Sequence, residues 1–256
     1  MIETKSPAEL ETMDRSNRVV RTILEELRGM VRPGITTGDL GDHAARRLRE
    51  LGAKPAFLGY PHPEGGPAFP SVLCTSINEE IVHGIPSRDR TLREGDILSL
   101  DFGAVVDGLY GDAAITVPVG GIDEDAQRLI DVTRDSLMRA VEQVRDGNRV
   151  SEISAAVQGH AEGHGFSVIR AFVGHGIGRR LHEDPPIPNF VDRGPNPRLT
   201  PGVVLAIEPM IASGDYEVEV AADRWTAMTR DRRLAAHFEL SVAVTTNGPW
   251  ILGDPL

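Results

Sequence analysis

The stretch Val173 to Pro185 reads VGHGIGRRLHEDP, with two histidines, His175 and His182, and glycines at Gly174, Gly176 and Gly178 around the first. Glycine loses more backbone freedom on folding than any other residue and is chosen where the chain bends unusually or something comes close. Elsewhere, four carboxylates sit where carboxylates are costly. Asp101 in ILSLDFG and Glu208 in VVLAIEPM each close an apolar run, and Glu239 in AAHFELSVAV lies within another. An unpaired charge in a buried strand is expensive, so something positive must answer it. The run ILSLDFGAVVDGLYGDAAITV contains no Lys or Arg, and its Asp107-Gly108 pair is a hairpin signal that folds Asp112 back nearly opposite Asp101. A bound cation is the natural counter-charge. The plain alternative is a surface hairpin whose aspartates face water; it is the better reading of that hairpin alone, but three similar anomalies outweigh it.

The set Asp101, Asp112, His175, Glu208 and Glu239 places four carboxylates around one imidazole. Such an oxygen-rich set suits manganese, iron, cobalt or zinc rather than a thiolate-type structural zinc site. Because carboxylates bridge, five side chains are enough for two ions close together. A pair of that kind makes hydroxide near neutral pH and stabilises a tetrahedral oxyanion, which points to hydrolysis of an amide or ester.

These residues need elements to carry them. Helical spacing runs over Ala8–Met30, Thr36–Leu51, Asp123–Arg145 and Val150–Gly163, and strand patterns over Ile97–Val105, Leu109–Val117, Val203–Glu208, Tyr216–Ala221 and Phe238–Thr245. The segment YPHPEGGPAF, from Tyr60 to Phe69, is loop, and His62 within it is expected to face water, as are His43, His160 and His164. Two echoes divide the chain. VRPGITTGDLGDHAARRLRELGA from Val31 matches VRDGNRVSEISAAVQGHAEGHGF from Val144, each a turn followed by a helix, with Thr37 or Ser151 as N-cap and Gly52 or Gly165 as stop. LREGDILSLDFG from Leu92 matches LTPGVVLAIEPM from Leu199, which sets Asp101 and Glu208 in equivalent places. Two copies exclude a solenoid and predict one domain over residues 1–256, made of pseudo-equivalent halves of about 1–120 and 121–256.

Bulk composition narrows the function classes. The chain has 256 residues, 40% hydrophobic and 25% charged, and no apolar run approaches the roughly twenty residues that span a bilayer. The N-terminal MIETKSPAELETM has neither the apolar core nor the cleavage site of a targeting peptide. Cys74 is the sole cysteine, so no intramolecular disulfide forms, which suits a reducing cytoplasm. A formal charge of −11 argues against non-specific binding to nucleic acid or anionic membrane.

DFG with its aspartate eleven positions on, GHGIG, IEPM and FE before a final strand together resemble the methionine aminopeptidases. CTSINE from Cys74 and HGIP from His83 extend the match, which runs in order over nearly the whole chain. The resemblance implies an α/β (α+β) architecture, the pita-bread (creatinase/aminopeptidase) fold, a pseudo-two-fold antiparallel sheet covered by helices. It implies removal of the initiator methionine from nascent chains with a small second residue, using two divalent metal ions, cobalt, manganese, iron(II) or zinc. Asp101, Asp112, His175, Glu208 and Glu239 would be the ligands and Glu208 also the general base. His182 would donate toward the substrate carbonyl, and His83 would contact the scissile amide. The methionine pocket would comprise Tyr60, Phe69, Cys74, Leu181 and Trp225 with His83 at its edge, and the glycines around His175 would make room for metal and peptide. The chain resembles the type I form, without the long N-terminal extension and large insertion of type II. Methionine-bearing peptides and nascent polypeptides are the implied partners, with transient ribosome association, no nucleic acid or membrane, a monomer and a cytoplasmic location.

There are two departures from the family pattern. PHPEGGPA, between Tyr60 and Phe69, is longer than the usual segment, and His237 and Leu240 stand where the family commonly has glutamine and histidine. The latter two are expected behind the ligands, tuning metal affinity. Two rival readings share the fold. A proline-specific aminopeptidase or prolidase would use the same five ligands but usually carries a further N-terminal domain, and thirty residues precede Val31 here. A non-catalytic polypeptide- or nucleic-acid-binding relative would typically have lost ligands that this chain retains.

Overall fold

The structure is a computed structural model and describes residues 2–253. Among the described residues there are four long helices: α1 Pro7–Met30, α2 Thr37–Glu50, α3 Glu124–Val141 and α4 Val150–Gly163. Helix α1 starts because Ser6 caps it, accepting from the Glu9 amide while Glu9 accepts from the Ser6 amide, with Pro7 preset for the first turn. Its apolar face buries Leu10, Met13, Val20, Ile23, Leu24 and Leu27. Helix α2 opens with a similar box between Thr36 and Asp39, so the cap is Thr36 and not Thr37. The Thr37 hydroxyl instead donates to the Ser87 carbonyl, tying the helix to a neighbouring loop. Ser151 is not a cap either. Helix α4 begins after Arg149, whose N–H donates to Glu152 at 2.6 Å, while the Ser151 hydroxyl accepts from Asn196. The predicted extension of α3 to Arg145 stops at Val141; Val144 keeps the apolar spacing and is buried, but from a turn that leads to Gly147 at φ 86°.

The principal sheet is antiparallel throughout. Its strands run in the order Lys54–Pro55, Ile97–Val106, Leu109–Pro118, Glu239–Thr245, Val204–Ile207, Gly174–Gly176 and Glu183–Ile187; Leu73–Ile77 and Gly248–Ile251 pair at branches. Two smaller sheets of three strands complete the framework. Asp107 and Gly108 both take positive φ, 50° and 80°, as a two-residue hairpin requires. The Tyr216–Ala221 pattern contains a shorter strand, Val218–Val220, and the Phe238–Thr245 pattern starts at Glu239, with Ala235–His237 pairing in a different sheet.

Alternation along the strands divides the sheet into two chemistries. Leu98, Leu100, Phe102, Ala113 and Val117 face a core with α1 and α2, while Leu205, Ile207, Leu240, Val242 and Val244 face a core with α3 and α4. The intervening positions, Asp101, Asp112, Glu239, Ser241 and Ala206 among them, point to the opposite face.

We propose that the chain is built from two pseudo-equivalent halves meeting near residue 120, and matched contacts support it. An isolated bridge joins Thr36 to Thr91 in one half and Arg149 to Arg198 in the other. Gly34 N–H donates to Leu92 O at 2.9 Å and Gly147 N–H to Leu199 O at 3.0 Å. The corresponding glycines share left-handed backbones: Gly34 at 91° and Gly147 at 86°, Gly95 at 91° and Gly202 at 90°. Thr36→Ala is expected to cost about 1 kcal/mol of stability by chemical denaturation, whereas Ser151→Ala, which removes no cap, costs less.

Candidate metal centre and substrate cavity

The hairpin register pairs Asp101 with Ala114 and Gly103 with Asp112. Asp101 and Asp112 are therefore diagonal neighbours on one face, not directly opposite, because a two-residue turn centred on Asp107-Gly108 sets the pairing two residues away from the expected one. Glu239 pairs with Ala114 on the other side, and extending the Leu240–Ile207 register by one residue brings Glu208 beside Glu239. A row thus runs Asp101, Ala114, Glu239, Glu208 across four chain segments. The adjacent row runs Gly103, Asp112, Ser241, Ala206, His175, with Ser241 accepting from the Asp112 amide and donating to its carbonyl. Gly, Ala and Ser are interspersed among the ligand-type side chains and leave the space above the sheet to the functional atoms.

One ligand-type atom each from Asp112, His175 and Glu239 lies within 4.8 Å of the others, and all three residues are buried. Asp101 and Glu208 line the same cavity. The His175 Nδ1 faces the Gly176 carbonyl at 3.0 Å, which fixes its proton there and turns a bare Nε2 toward Glu208 Oε1 at 3.6 Å. Asp101 Oδ1, Asp112 Oδ1 and Glu239 Oε1 are buried without hydrogen-bond partners. Unpartnered carboxyl oxygens of Asp101, Asp112 and Glu239 and the bare Nε2 of His175 therefore share one buried cavity with Glu208, an oxygen-rich set that a divalent cation fits.

The electrostatics agree. Burial pushes Asp101 up to about 7, tempered by a hydrogen bond from the Cys74 thiol. Asp112, Glu208 and Glu239 are driven well above the usual carboxyl range, first by burial and then by one another and Asp101. Burial holds His175 near 3 and His83 near 4, so both rings are neutral near pH 7. Cys74 pairs with Asp101 across the strands, and its thiol is pushed well up by burial and then by the surrounding carboxylates, which disfavours a nucleophilic thiolate.

A cavity of about 360 Å3 opens over the carboxylates. Tyr60, Phe69, Cys74, His83, Leu181, His182 and Trp225, all expected from sequence, line it. So do Phe57, Pro63 and Phe172, which sequence reasoning missed. Phe57 and Phe172 lie in irregular segments with no periodicity to mark them. His83 occupies the left-handed region at φ 63°, a strained conformation for a non-glycine residue, held where the Thr75 amide donates to Gly84 O at 2.7 Å. A Cβ at Gly84 would come within 2.1 Å of Thr75 O. The Tyr60 hydroxyl meets His182 Nδ1 at 2.6 Å, and the His182 ring packs on His175 at 4.2 Å between centroids.

Three expectations need correction. The glycines around His175 do not open space for metal or peptide: a Cβ would strike Ala206 O at Gly174 (2.4 Å), Asp184 O at Gly176 (2.1 Å) and the Lys5 side chain at Gly178 (2.1 Å). They permit close packing within the protein. His62 is not a solvated loop residue, since its ring packs edge-on against Trp225 at 4.9 Å and its Nε2 meets Arg224 O at 2.9 Å. His43 likewise bonds Glu26 at 2.8 Å. Of the two departures, His237 stands beside the carboxylate cluster, with Nε2 at 3.7 Å from Glu208 Oε2, but Leu240 faces the helices and packs in their core.

A model of metallopeptidase family M24 matches residues 11–246. The chain belongs to this family. A methionine aminopeptidase of Clostridium acetobutylicum is 46% identical over 98% of both chains. The crystal structure of a methionine aminopeptidase from Thermotoga maritima superposes with a TM-score of 0.95 at 44% identity, covering all of both chains. An Xaa-Pro dipeptidase of Bacillus anthracis reaches a TM-score of 0.77 at 19% identity over 99% of this chain and 62% of its own, a likeness of fold alone. The M24 architecture here is the pita-bread fold.

Folding without a divalent ion buries carboxyls that resist ionisation, and this sets a pH dependence. A group whose folded pKa exceeds its unfolded value adds stability that is lost as pH rises through the folded value; the lowered histidines have the opposite slope, which ends near their unfolded value of 6.5. Above that pH the carboxyls, and Cys74 with the same sign, remain. The melting temperature of chelator-treated protein is therefore expected to fall between pH 6.5 and about pH 8.5, and saturating Mn2+ to remove most of the fall. A melting temperature that rises over that interval without metal would contradict this account. Ala114→Leu, which sends a bulky group into the ligand row, is expected to weaken Mn2+ binding at least tenfold, about 1.4 kcal/mol, as measured by calorimetry.

Proposed function

We propose that the protein is a metal-dependent aminopeptidase that removes N-terminal methionine from peptides and nascent polypeptides with a small second residue. Methionine aminopeptidase relatives at high coverage support the activity. The observation that carries the chemistry is the buried cluster of Asp112, His175 and Glu239 beside Asp101 and Glu208, in which Asp101 Oδ1, Asp112 Oδ1 and Glu239 Oε1 lack hydrogen-bond partners. These five side chains would hold two divalent ions, cobalt, manganese, iron(II) or zinc. When bound, such ions supply Lewis acidity and lower the pKa of water.

The chain's own residues supply the rest. Glu208 is the general base. Its carboxyl lies between His175 and His237, at 3.6 and 3.7 Å, and its raised affinity for a proton suits a group that accepts one from attacking water and returns it to the leaving amine. With the Tyr60 hydroxyl donating to Nδ1, neutral His182 carries its proton on Nε2 and donates it as a hydrogen bond to the carbonyl oxygen of the scissile bond. His83, neutral and held by a strained backbone beside Phe172 and Trp225, contacts the peptide nitrogen. Aromatic and aliphatic walls from Tyr60, Phe69, Cys74, Leu181 and Trp225 take the flexible thioether and exclude water. We further read the enzyme as a cytoplasmic monomer acting on nascent chains in transient association with the ribosome. Among the described residues no helix is long and apolar enough to cross a membrane.

Chelator-stripped protein reloaded with Mn2+ or Co2+ is expected to cleave Met-Gly-Met and to leave Xaa-Pro peptides intact. Glu208→Gln is expected to lower kcat about 10²–10⁴-fold. Turnover restricted to Xaa-Pro peptides would instead support prolidase chemistry, and chelator-resistant cleavage of Met-Gly-Met would end the metal-dependent reading.

A further inference from the structure

We infer that Lys5 is a positioning residue for His182, acting through a buried ion pair with Glu183. Lysine is almost never buried unless paired, yet Lys5 is 7% exposed and Glu183 is 8% exposed. Their Nζ and Oε2 lie 2.5 Å apart, and Nζ also donates to Glu3 O at 3.1 Å. The other carboxylate oxygen of Glu183 accepts from two backbone amides, Arg179 at 2.8 Å and Arg180 at 3.1 Å. One carboxylate thus gathers an ammonium group and two amides, which curls the segment from Gly178 to Glu183 into a fixed turn. His182 is the penultimate residue of that turn, and Leu181 beside it lines the substrate cavity.

The backbone on both sides is built to admit this tie. The Lys5 side chain passes through the space where Gly178 would carry a Cβ, with Cε 2.1 Å from that position. The Lys5 N–H donates to Gly202 O at 2.7 Å, and Gly202 has a left-handed φ of 90° with the Lys5 carbonyl 2.8 Å from its would-be Cβ. The Tyr110 N–H donates to Gly178 O at 2.9 Å, anchoring the start of the turn to the ligand-bearing hairpin, and Gly176 pairs with Glu183 at its base. Ser6 then caps α1, so the segment that carries Lys5 is fixed at its far end by a long helix.

A buried ion pair is a poor device for stability alone, since well-packed apolar residues of similar volume often do as well or better. Its distinctive product is direction. The second Glu183 oxygen meets both amides only while the first is held, and a side chain that donates to a developing oxyanion must keep its place to within about 0.5 Å. The inference rests on the reading of His182 as the oxyanion donor.

The test compares Lys5→Met, Lys5→Met/Glu183→Gln and His182→Ala with the unaltered full-length, metal-loaded enzyme. Readouts are kcat and KM for Met-Gly-Met, melting temperature, and amide hydrogen exchange over residues 177–183. Lys5→Met is expected to lower kcat at least about tenfold with KM changed less than about threefold, and to speed exchange in 177–183 but not in the strand Ile97–Val106. The double variant, which removes the unpaired buried charge, is expected to recover the melting temperature but not kcat, and it carries the comparison if Lys5→Met does not fold. The inference is overturned if His182→Ala lowers kcat while either folded Lys5 variant retains the wild-type value, or if the double variant recovers kcat along with stability. If His182→Ala itself leaves kcat unchanged, the oxyanion reading falls first and the positioning role falls with it.

Discussion

Mutual repulsion among buried carboxylates governs this molecule. Asp101, Asp112, Glu208 and Glu239 share one water-poor face, and each raises the proton affinity of at least one other. Such a cluster costs folding free energy unless protons or cations neutralise it. The remainder of the structure meets that cost with extensive apolar packing. Two helix pairs bury the reverse face of the same strands, so every second side chain on a strand adds to a core while its neighbour adds to the site.

The spacing of the site follows from this division. Ala114 stands between Asp101 and Glu239, and Ser241 and Ala206 stand between Asp112 and His175, so the separations between strands set much of the spacing of the functional atoms. The frame is held locally as well: Asn17 and Ser241 accept from the Asp112 backbone amide, and the Gly176 carbonyl orients the His175 ring. Preorganisation of this kind leaves little to reorganise when charge develops on a substrate.

The cavity wall is less regular, built from loops as well as strands. The Tyr60–Phe69 loop is latched to the segment around Trp225 by three hydrogen bonds, His62 to Arg224 O, Arg224 to Gly65 O, and the Trp225 indole to Pro67 O at 3.1 Å, besides ring packing of His62 and Phe69 on the indole. The loop therefore does not hang free at the entrance; it brings Pro63 into the wall and packs His62 against the indole. His237 adds a neutral imidazole beside Glu208, held near 3 by burial and by His83.

Sequence alone determined the four helices, the hairpin about Asp107-Gly108 and the identity of the acids, because these depend on local periodicity, turn chemistry and the anomaly of charge in an apolar strand. The repeated glycine turns were legible for the same reason: a left-handed residue is demanded by its own dihedral angles. Other features were decided by tertiary structure. The fate of Leu240 depends on which face of its strand meets a helix, whereas the diagonal placement of Asp101 and Asp112 follows from the two-residue turn itself. Phe57 and Phe172 reach the cavity from irregular segments. The glycines around His175 answer to Ala206, Asp184 and Lys5, which no local pattern announces. Lys5 itself is one lysine before a helix cap until the fold brings it to Glu183, 178 positions along the chain. Local rules specify what a segment is; which distant group it touches is settled when strands and helices pack, because those contacts depend on geometry that no short stretch contains.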